Sequence, residues 1–342
     1  MKELVDKLAK NRILERGEFK ELLLATDEYL RQKAGEVRQA VFGNKIFARG
    51  LIEFTNYCKN DCFYCGLRTS NGAAARYRLS KEQILESCTA GYGLGYRTFV
   101  LQGGEDPYFT DDVLVDIILA IKTQHPDCAV TLSIGERSRD SFKTLYDAGV
   151  DRYLLRQETT NPQHYANMHP HSMQLKSRLD CLWNLKEIGY QVGCGFMVGS
   201  PGQTLDDIVS DLIFIKELDP QMVGVGPFLP HDATPFGGEA AGCVQTTLNI
   251  IAILRLIKPN LLLPATTALG TIKDNGREMG IMAGANVVMP NISPTSERKK
   301  YLLYNNKIGT TANAMDSGGD MAKRMAAIGC EIAVDRGDYC ES

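Results

Sequence analysis

Residues 51 to 65 read LIEFTNYCKNDCFYC, a short apolar run that leads into three closely spaced cysteines. Leu51–Phe54 has the length and composition of a short buried strand. Cys58, Cys62 and Cys65 follow it with the spacing C-x3-C-x2-C. We therefore expect a strand that carries a cysteine-bearing loop at its carboxyl end.

A short strand followed by an amphipathic helix recurs along the chain. Over about 240 residues the candidate strands are Leu51–Phe54, Thr98–Leu101, Ala129–Leu132, Arg152–Leu155, Gly195–Val198, Met222–Val225, Leu261–Leu263 and Asn286–Met289. Helical stretches between them include Lys81–Leu94, Asp111–Thr123, Leu175–Ile188, Leu205–Leu218 and Thr246–Ile257. Parallel strands need such crossovers, and eight of them close a barrel. The pattern predicts an α/β fold of the TIM-type (β/α)8 barrel class, with an open doubly wound sheet as the alternative.

The predicted barrel occupies residues 48–304 and is flanked on both sides. Residues 1–47 have apolar side chains at helical spacing and predict an N-terminal helical extension. Residues 305–342 predict a C-terminal helical segment packed on the barrel. Active sites of such barrels lie at the carboxyl ends of the strands. The polar and glycine residues that follow each strand are therefore the candidate site residues.

Composition excludes several classes of function. The 342 residues have a formal net charge of −3, so a basic surface for nucleic acid is not expected. No apolar run approaches the roughly 20 residues that span a bilayer, and the N-terminus resembles neither a secretory signal nor a transit peptide. We expect a cytoplasmic protein without a membrane or nucleic-acid partner. Seven further cysteines are scattered and fit buried apolar side chains or surface thiols.

The cysteine spacing favours an iron–sulfur cluster. Thiolates are the usual cluster ligands, and three of them leave one iron of a 4Fe–4S cubane open for a ligand. A structural zinc site needs a fourth ligand, but no further Cys or His lies within fifteen residues after Cys65. A thioredoxin-like dithiol remains a second alternative for Cys62 and Cys65, although it would have no use for Cys58.

This motif resembles that of radical S-adenosylmethionine (SAM) enzymes. The resemblance implies that the amino and carboxylate groups of SAM bind the open iron. One electron then splits SAM into methionine and a 5′-deoxyadenosyl radical. It also implies that the aromatic Tyr64 lies against the adenine, where ordinary packing is the alternative. The expected cofactors are one 4Fe–4S cluster and SAM.

The segment VLQGGEDP follows the second strand and supports this interpretation. Gly103 and Gly104 would let backbone carbonyls approach a ligand closely, and Glu105 would accept from the ammonium of SAM. A tight strand-to-helix turn is the alternative explanation for the same residues.

Further candidates follow the fourth and fifth strands. Arg156 and Glu158 in YLLRQETTNP lie two residues apart and would face the same side. Glu158 would accept from the ribose hydroxyls of SAM and Arg156 would bind a carboxylate, unless the two form a surface ion pair. Arg178 is a candidate for the SAM carboxylate or a solvated helix residue. Met197 in GFMVGSPGQT is either an adenine contact or core.

Taken together, the motifs place the chain among radical SAM enzymes of the biotin synthase type, and more closely with one family. RGLIEFTNYCKNDCFYCGLR, VGVGPFLPHDATP, LPATTALGT and GANVVMPNISP resemble the FeFe-hydrogenase maturases of the HydE family over roughly residues 48–304. That resemblance implies a closed internal cavity and a role in building the di-iron part of the hydrogenase active site. The residues that it implies in the lower cavity are Thr131, Arg152, Thr266, Thr267 and Tyr304. Barrel packing is the alternative for Thr131 and Tyr304.

The resemblance also implies partners and a substrate. The substrate is a small iron–cysteine complex with carbonyl and cyanide ligands, delivered by a tyrosine-cleaving radical SAM maturase. The product passes to a scaffold GTPase, and the electron donor is a protein such as ferredoxin or flavodoxin. Some family members hold a second cluster near the segment matching 309–321, which here has no cysteine, so we expect no auxiliary cluster.

Two further functions remain open at this point. One is another radical SAM reaction on an amino-acid-derived substrate, such as the rearrangement catalysed by methylornithine synthase. The other is a non-enzymatic iron–sulfur carrier, which would have no use for Glu158 or Arg156.

Overall fold

The computed structural model describes residues 1–26, 28–310 and 314–341. Small parts of the predicted flanking helical segments therefore lie outside the described residues: residue 27 in the N-terminal segment, and residues 311–313 and 342 in the C-terminal one. The same holds for residues 311–313 of the stretch in which we expect no second cluster.

Six parallel strands form the main sheet, in the order in which they occur along the chain. They are β2 Gly50–Thr55, β3 Thr98–Gly103, β4 Ala129–Ser133, β5 Arg152–Leu154, β6 Gln191–Val198 and β7 Met222–Pro227. Each coincides with a predicted strand. Sequential parallel order requires every connection to cross the same face, and the intervening helices provide those crossovers.

The helices agree with the predicted alternation. They are α1 Lys2–Asn11, α2 Arg16–Leu23, α3 Tyr29–Phe42, α4 Lys81–Gly93, α5 Asp111–Gln124, α6 Arg139–Asp147, α7 Pro162–Met168, α8 Leu175–Ile188, α9 Leu205–Leu218, α10 Val244–Ile257, α11 Thr267–Ile272, α12 Gly276–Met282, α13 Thr295–Arg298 and α14 Ala314–Ala327. Local signals start several of them. Ser80, for example, accepts a hydrogen bond from Gln83 N in a capping box that begins α4.

The last quarter of the predicted barrel is less regular than expected. The predicted strand Leu261–Leu263 takes part only in isolated bridges, from Leu262 to Met222 and from the adjoining Pro264 to Val287. A third bridge joins Leu51 to Asn291. The six-stranded sheet is therefore not closed by a continuous ladder within the described residues. Its overall form is a parallel α/β sheet that corresponds to part of the predicted barrel.

A second, three-stranded sheet was not predicted. In it β1, Lys45–Ala48, lies between β8, Val287–Val288, and β9, Glu331–Ala333, and all pairs are parallel. The segment predicted to be wholly helical before residue 48 thus ends in a strand. The C-terminal segment likewise adds a strand. Three- and four-residue strands have too few residues for a periodic signal, which is why the sequence pattern missed them.

The three N-terminal helices pack on one helix of the main α/β unit. Helices α1, α2 and α3 all contact α10, whose residues from Thr247 to Ile257 are buried throughout. None of the helices in the described ranges is long and apolar enough to span a bilayer. The carboxyl ends of β2 to β7 remain uncovered by these helices and surround the cavity described next.

Candidate active site

A cavity of about 330 Å³ lies at the carboxyl ends of the strands. Nine of the residues selected from the sequence line it: Tyr64, Cys65, Gly103, Arg156, Glu158, Met197, Thr266, Thr267 and Tyr304. These residues come from six different segments of the chain. Parallel strands direct all their carboxyl ends to one side, which is why residues far apart in sequence meet here.

The loop that carries the three cysteines crosses the mouth of this cavity. Its backbone is held by bonds to distant segments, from Phe63 N to Met168 O and from Gly66 N to Leu303 O, both 2.9 Å long. The cysteine side chains are half-buried and free of disulfides. The loop therefore holds three free thiols, of which Cys65 lines the cavity.

Burial affects the ionisation of these thiols. Desolvation raises the pKa of Cys58 and of Cys62, and it raises the pKa of Cys65 to about 12. A buried thiolate needs a positive partner to be stable. Bound iron would supply that charge and displace the protons.

The number of cysteines bears on the kind of metal site. Each cysteine of a cubane binds a different iron, whereas a closed zinc site has four ligands on one ion. The loop supplies three thiols, Cys58, Cys62 and Cys65. This donor set fits a cluster with one open iron.

Gly104 lies directly against the cysteine loop. A Cβ at this position would come within 2.7 Å of Cys58 Cβ, so a side chain would displace the loop. The backbone of Glu105 reinforces the contact, since its carbonyl accepts from Lys59 N at 2.9 Å. Gly104 thus has a steric role beside Cys58.

Arg156 and Glu158 have polar atoms in the cavity that form no hydrogen bond. Their side chains approach to 3.1 Å, between Arg156 Nη2 and Glu158 Oε2. The angles are not those of a hydrogen bond, and both atoms are buried without a hydrogen-bond partner. Glu158 also has a φ of 66°, a left-handed conformation that is unusual for a residue with a side chain. Buried polar atoms that lack a hydrogen-bond partner, beside a strained backbone, are typical of a ligand site.

Tyr64 and Met197 belong to an apolar surface next to these polar groups. Met197 packs with Met168 and Phe228, and Tyr64 packs against the same cluster. The Tyr64 hydroxyl lies 3.2 Å from His169 Nε2, and burial raises the pKa of Tyr64 well above its usual value. The ring therefore stays neutral and offers a flat face, as an adenine contact requires.

Glu105 and Arg178 lie apart from the cavity lining. Glu105 Oε1 accepts from Glu136 N at 3.0 Å, and Arg178 Nε lies 2.9 Å from Glu136 Oε1. Burial alone would lower the pKa of Arg178, but the charges of Glu136 and Glu105, together with Tyr165, raise it. Arg178 Nε nevertheless has no hydrogen-bond partner with good geometry. In this structure both residues form a charged layer behind the cysteine loop.

Arg152 and Thr131 lie outside the cavity lining, Arg152 at the amino end of β5 and Thr131 in the middle of β4. Arg152 is the first residue of β5 and is fully buried. It pairs with Asp338 of the C-terminal segment, and it donates to Arg336 O at 2.9 Å and to Thr98 Oγ1 at 2.9 Å. Thr131 is buried on β4, paired in register with Arg152, and its hydroxyl has no partner. The two residues therefore do not meet the other predicted cavity residues.

Thr266, Thr267 and Tyr304 form one wall of the cavity. Thr266 caps α11, and Arg277 Nη2 donates to Thr267 Oγ1 at 3.3 Å. Burial raises the pKa of Tyr304 to about 12. All three therefore present neutral hydroxyl groups.

Two charged residues of the cavity wall were not selected from the sequence. Glu53 of β2 and Lys307 form a buried ion pair, and Lys307 Nζ also donates to Tyr301 O at 3.0 Å. A glutamate inside the apolar run of LIEFT was an available signal, because a carboxylate in a buried strand needs a partner. Nothing local marks Lys307, which is 254 residues away.

Comparison with known proteins agrees with this geometry. Residues 52–215 match the radical SAM superfamily. The chain is 46% identical over 304 residues, 86% of each chain, to the [FeFe] hydrogenase maturase subunit HydE of Thermotoga maritima. It belongs to the HydE family of radical SAM enzymes.

Other relatives support the same fold for this radical SAM enzyme. It is 32% identical to the 3-methylornithine synthase of Methanosarcina acetivorans over 90% of this chain and 85% of the relative. The crystal structure of methylornithine synthase (PylB) superimposes with a TM-score of 0.85 at 28% identity and covers 96% of this chain and 97% of its own. Membership of the superfamily implies a 4Fe–4S cluster and SAM as cofactors.

Proposed function

We propose that this radical SAM enzyme acts in maturation of the FeFe hydrogenase. The observation that carries the proposal is the 46% identity to a HydE maturase along 86% of both chains. The recessed cavity at the carboxyl ends of the strands supports it, since a radical reaction needs a site that limits access of water and side reactions.

The residues of the cavity mouth supply the cofactor sites in this proposal. Cys58, Cys62 and Cys65 bind the cluster, which when bound to SAM supplies the 5′-deoxyadenosyl radical. Glu158 and Arg156 use their unpaired atoms to bind polar groups of SAM. Tyr64 and Met197 hold the adenine against their apolar surface. Arg178 carries a buried positive charge near the cluster, and no auxiliary cluster is part of the proposal.

The inner part of the cavity binds the substrate. A small cysteine-bound iron complex with cyanide ligands requires hydrogen-bond donors in a dry site, and Thr266, Thr267 and Tyr304 provide hydroxyl groups. The proposed partners are a ferredoxin- or flavodoxin-type electron donor, a tyrosine-cleaving radical SAM maturase and a scaffold GTPase, all in the cytoplasm.

The chain consists of a catalytic barrel and two flanking segments in this proposal. Residues 48–304 act as one catalytic (β/α)8 barrel, in which the isolated bridges at Leu262, Pro264 and Asn291 complete the circle begun by the six-stranded sheet. Residues 1–47 and 305–342 act as flanking segments that pack on it.

Maturation of an apo-hydrogenase in vitro tests the function. The anaerobically reconstituted protein, with SAM, reductant and the other maturases, should raise hydrogen evolution far above the same mixture without it. Hydrogenase activity that is equal in both mixtures contradicts the proposal.

The second candidate function is a carbon-skeleton rearrangement. The structural match to methylornithine synthase across 96% of this chain favours it. Formation of 3-methylornithine by the purified protein, together with failure in the hydrogenase assay, would replace the first proposal with this one.

Glu158→Ala tests the SAM site. We expect a normal cluster but SAM affinity weaker by about 1–3 kcal/mol, because ligand hydroxyls and Arg156 lose their acceptor. Titration of the reduced protein with SAM, followed by EPR, measures the dissociation constant. Glu187→Ala removes an exposed carboxylate from α8 and is the matched control. An unchanged dissociation constant would remove Glu158 from the SAM site.

A further inference from the structure

A second chamber of about 410 Å³ lies beyond the inner wall of the cavity. It is bounded by α11, α12, α14 and the turn after β8. The two spaces share five lining residues: Leu51, Glu53, Thr267, Met289 and Lys307. The second chamber therefore adjoins the cavity across a thin partition.

The Glu53–Lys307 ion pair is the polar part of this partition. Only 1% of the Glu53 side chain and 5% of the Lys307 side chain are exposed. Asn291 Nδ2 donates to the second carboxylate oxygen of Glu53 at 2.7 Å. Both charges are thus fully compensated within the partition, and the groups that remain for a ligand lie elsewhere in the chamber.

Arg277 is the cation that remains for a ligand. Among the residues that the structure describes, its one polar contact is the weak bond that it donates to Thr267 Oγ1 at 3.3 Å, and it forms no ion pair with any of them. Burial lowers its pKa, with the neighbouring Arg324 adding to the effect. The other guanidinium of the chamber, Arg324, is already bound to Glu278. A partly buried guanidinium that has one weak hydrogen bond favours binding of a carboxylate.

A glycine lies between Ile308 and Arg277 in the wall of this chamber. A Cβ on Gly270 would lie 2.8 Å from Ile308 Cδ1 but only in ordinary contact, at 3.5 Å, with Arg277 Nε. The absence of a side chain at Gly270 therefore lets Ile308 pack against α11.

Negative charge lines the solvent side of the same chamber. Asp274 and Asp320 are exposed, and neither side chain forms an ion pair within the part of the chain that the structure describes. Arg277 lies in the interior of the chamber, and Asp274 and Asp320 lie on its solvent side. This distribution of charge matches a small molecule that carries both a carboxylate and an ammonium group. A simple anion would be repelled by Asp274 and Asp320, and a simple cation by Arg277.

We propose that this chamber binds a small amino acid zwitterion, with its carboxylate on Arg277 and its ammonium toward Asp274 and Asp320. The ligand class follows from the charges of the chamber itself, so the inference goes beyond the proposed function and does not depend on it. A ligand bound here is separated from the cavity only by the Glu53–Lys307 partition.

Se-methyl-L-selenocysteine is a suitable probe, because selenium scatters anomalously and the molecule carries both charges. Crystals of the holoprotein with SAM, soaked in this compound, should show an anomalous peak in the chamber beside Arg277. Isothermal titration calorimetry in solution should give a dissociation constant at least about 10-fold higher for Arg277→Gln, because a charged hydrogen bond is lost. The amine 2-(methylseleno)ethylamine, which lacks the carboxylate, should not bind.

Controls separate binding from folding. Arg139→Gln removes an exposed guanidinium from α6, far from the chamber, and should leave the affinity unchanged. Asp274→Asn/Asp320→Asn alters only exposed side chains and should also weaken binding, so the proposal remains testable if Arg277→Gln does not fold. A peak found only in the cavity, equal binding of the amine, or affinity unchanged in both chamber variants overturns the inference. None of these outcomes depends on hydrogenase activity, which tests the proposed function separately.

Discussion

Replacing Cys65 by alanine is expected to abolish both the cluster and the cleavage of SAM. Cys65 is the cysteine that lines the cavity itself. Three thiolates hold three irons of a cubane and leave the fourth iron free for SAM. With two ligands the cubane loses its anchor at the cavity mouth. Iron analysis, EPR with and without SAM, and chromatography of 5′-deoxyadenosine measure the loss.

Exposed cysteines provide the matched controls for this experiment. Cys243→Ala and Cys340→Ala remove thiols that lie on the surface and should leave iron content and 5′-deoxyadenosine formation unchanged. Full cluster content in Cys65→Ala would contradict the assignment of the cysteine loop and, with it, the proposed function.

Arg152→Ala is expected to destabilise the fold by about 3 kcal/mol. The buried guanidinium binds Asp338, Thr98 Oγ1 and Arg336 O, and so attaches the C-terminal segment to the amino ends of the strands. Without it, Thr98 and the Arg336 carbonyl lose a donor in a buried site, and a cavity remains. Denaturant unfolding of the purified variant measures the change in free energy of unfolding.

The outcome decides between two roles for Arg152. The HydE resemblance implies a cavity residue, and such a residue would impair maturation without loss of stability. The contacts of the structure predict loss of stability instead. Arg139→Ala, which removes an exposed guanidinium, is the control and should change the free energy of unfolding by no more than about 0.5 kcal/mol.

Asp338 adds a pH dependence to the same contact. Arg336, Arg152 and Gln191 outweigh the effect of burial and hold its pKa at about 2, below the ordinary value of 3.8. A depressed carboxyl pKa contributes stability above the unfolded value, and that contribution is lost as the pH falls from about 4 to about 2. Asp338→Asn should flatten this part of the stability profile.

Local patterns predicted the strands and the cysteine loop well. The six strands of the main sheet appear where apolar runs predicted them, because each run belongs to a repeated alternation of a short strand with an amphipathic helix. The predicted strand Leu261–Leu263 is irregular in the structure, and the short strands β1 and β9 were not predicted. Pairing with distant residues defines these strands, as in the pair Ile46 and Ile332. No local signal reports such a partner.

Some features of the candidate site likewise follow from local sequence, and others follow only from the tertiary structure. The sequence alone determined which residues follow each strand, so Tyr64, Cys65, Arg156 and Glu158 could be assigned to one cavity from the rule that parallel strands share an edge. Only the tertiary structure decided how far along each strand a residue lies and what fills the space beside it. Arg152 begins its strand, and Asp338, 186 residues later, binds it. Lys307 likewise finds Glu53 across 254 residues. Burial and long-range ion pairing depend on how the whole chain folds. The sequence position of a charged side chain does not indicate which distant group of opposite charge will bind it.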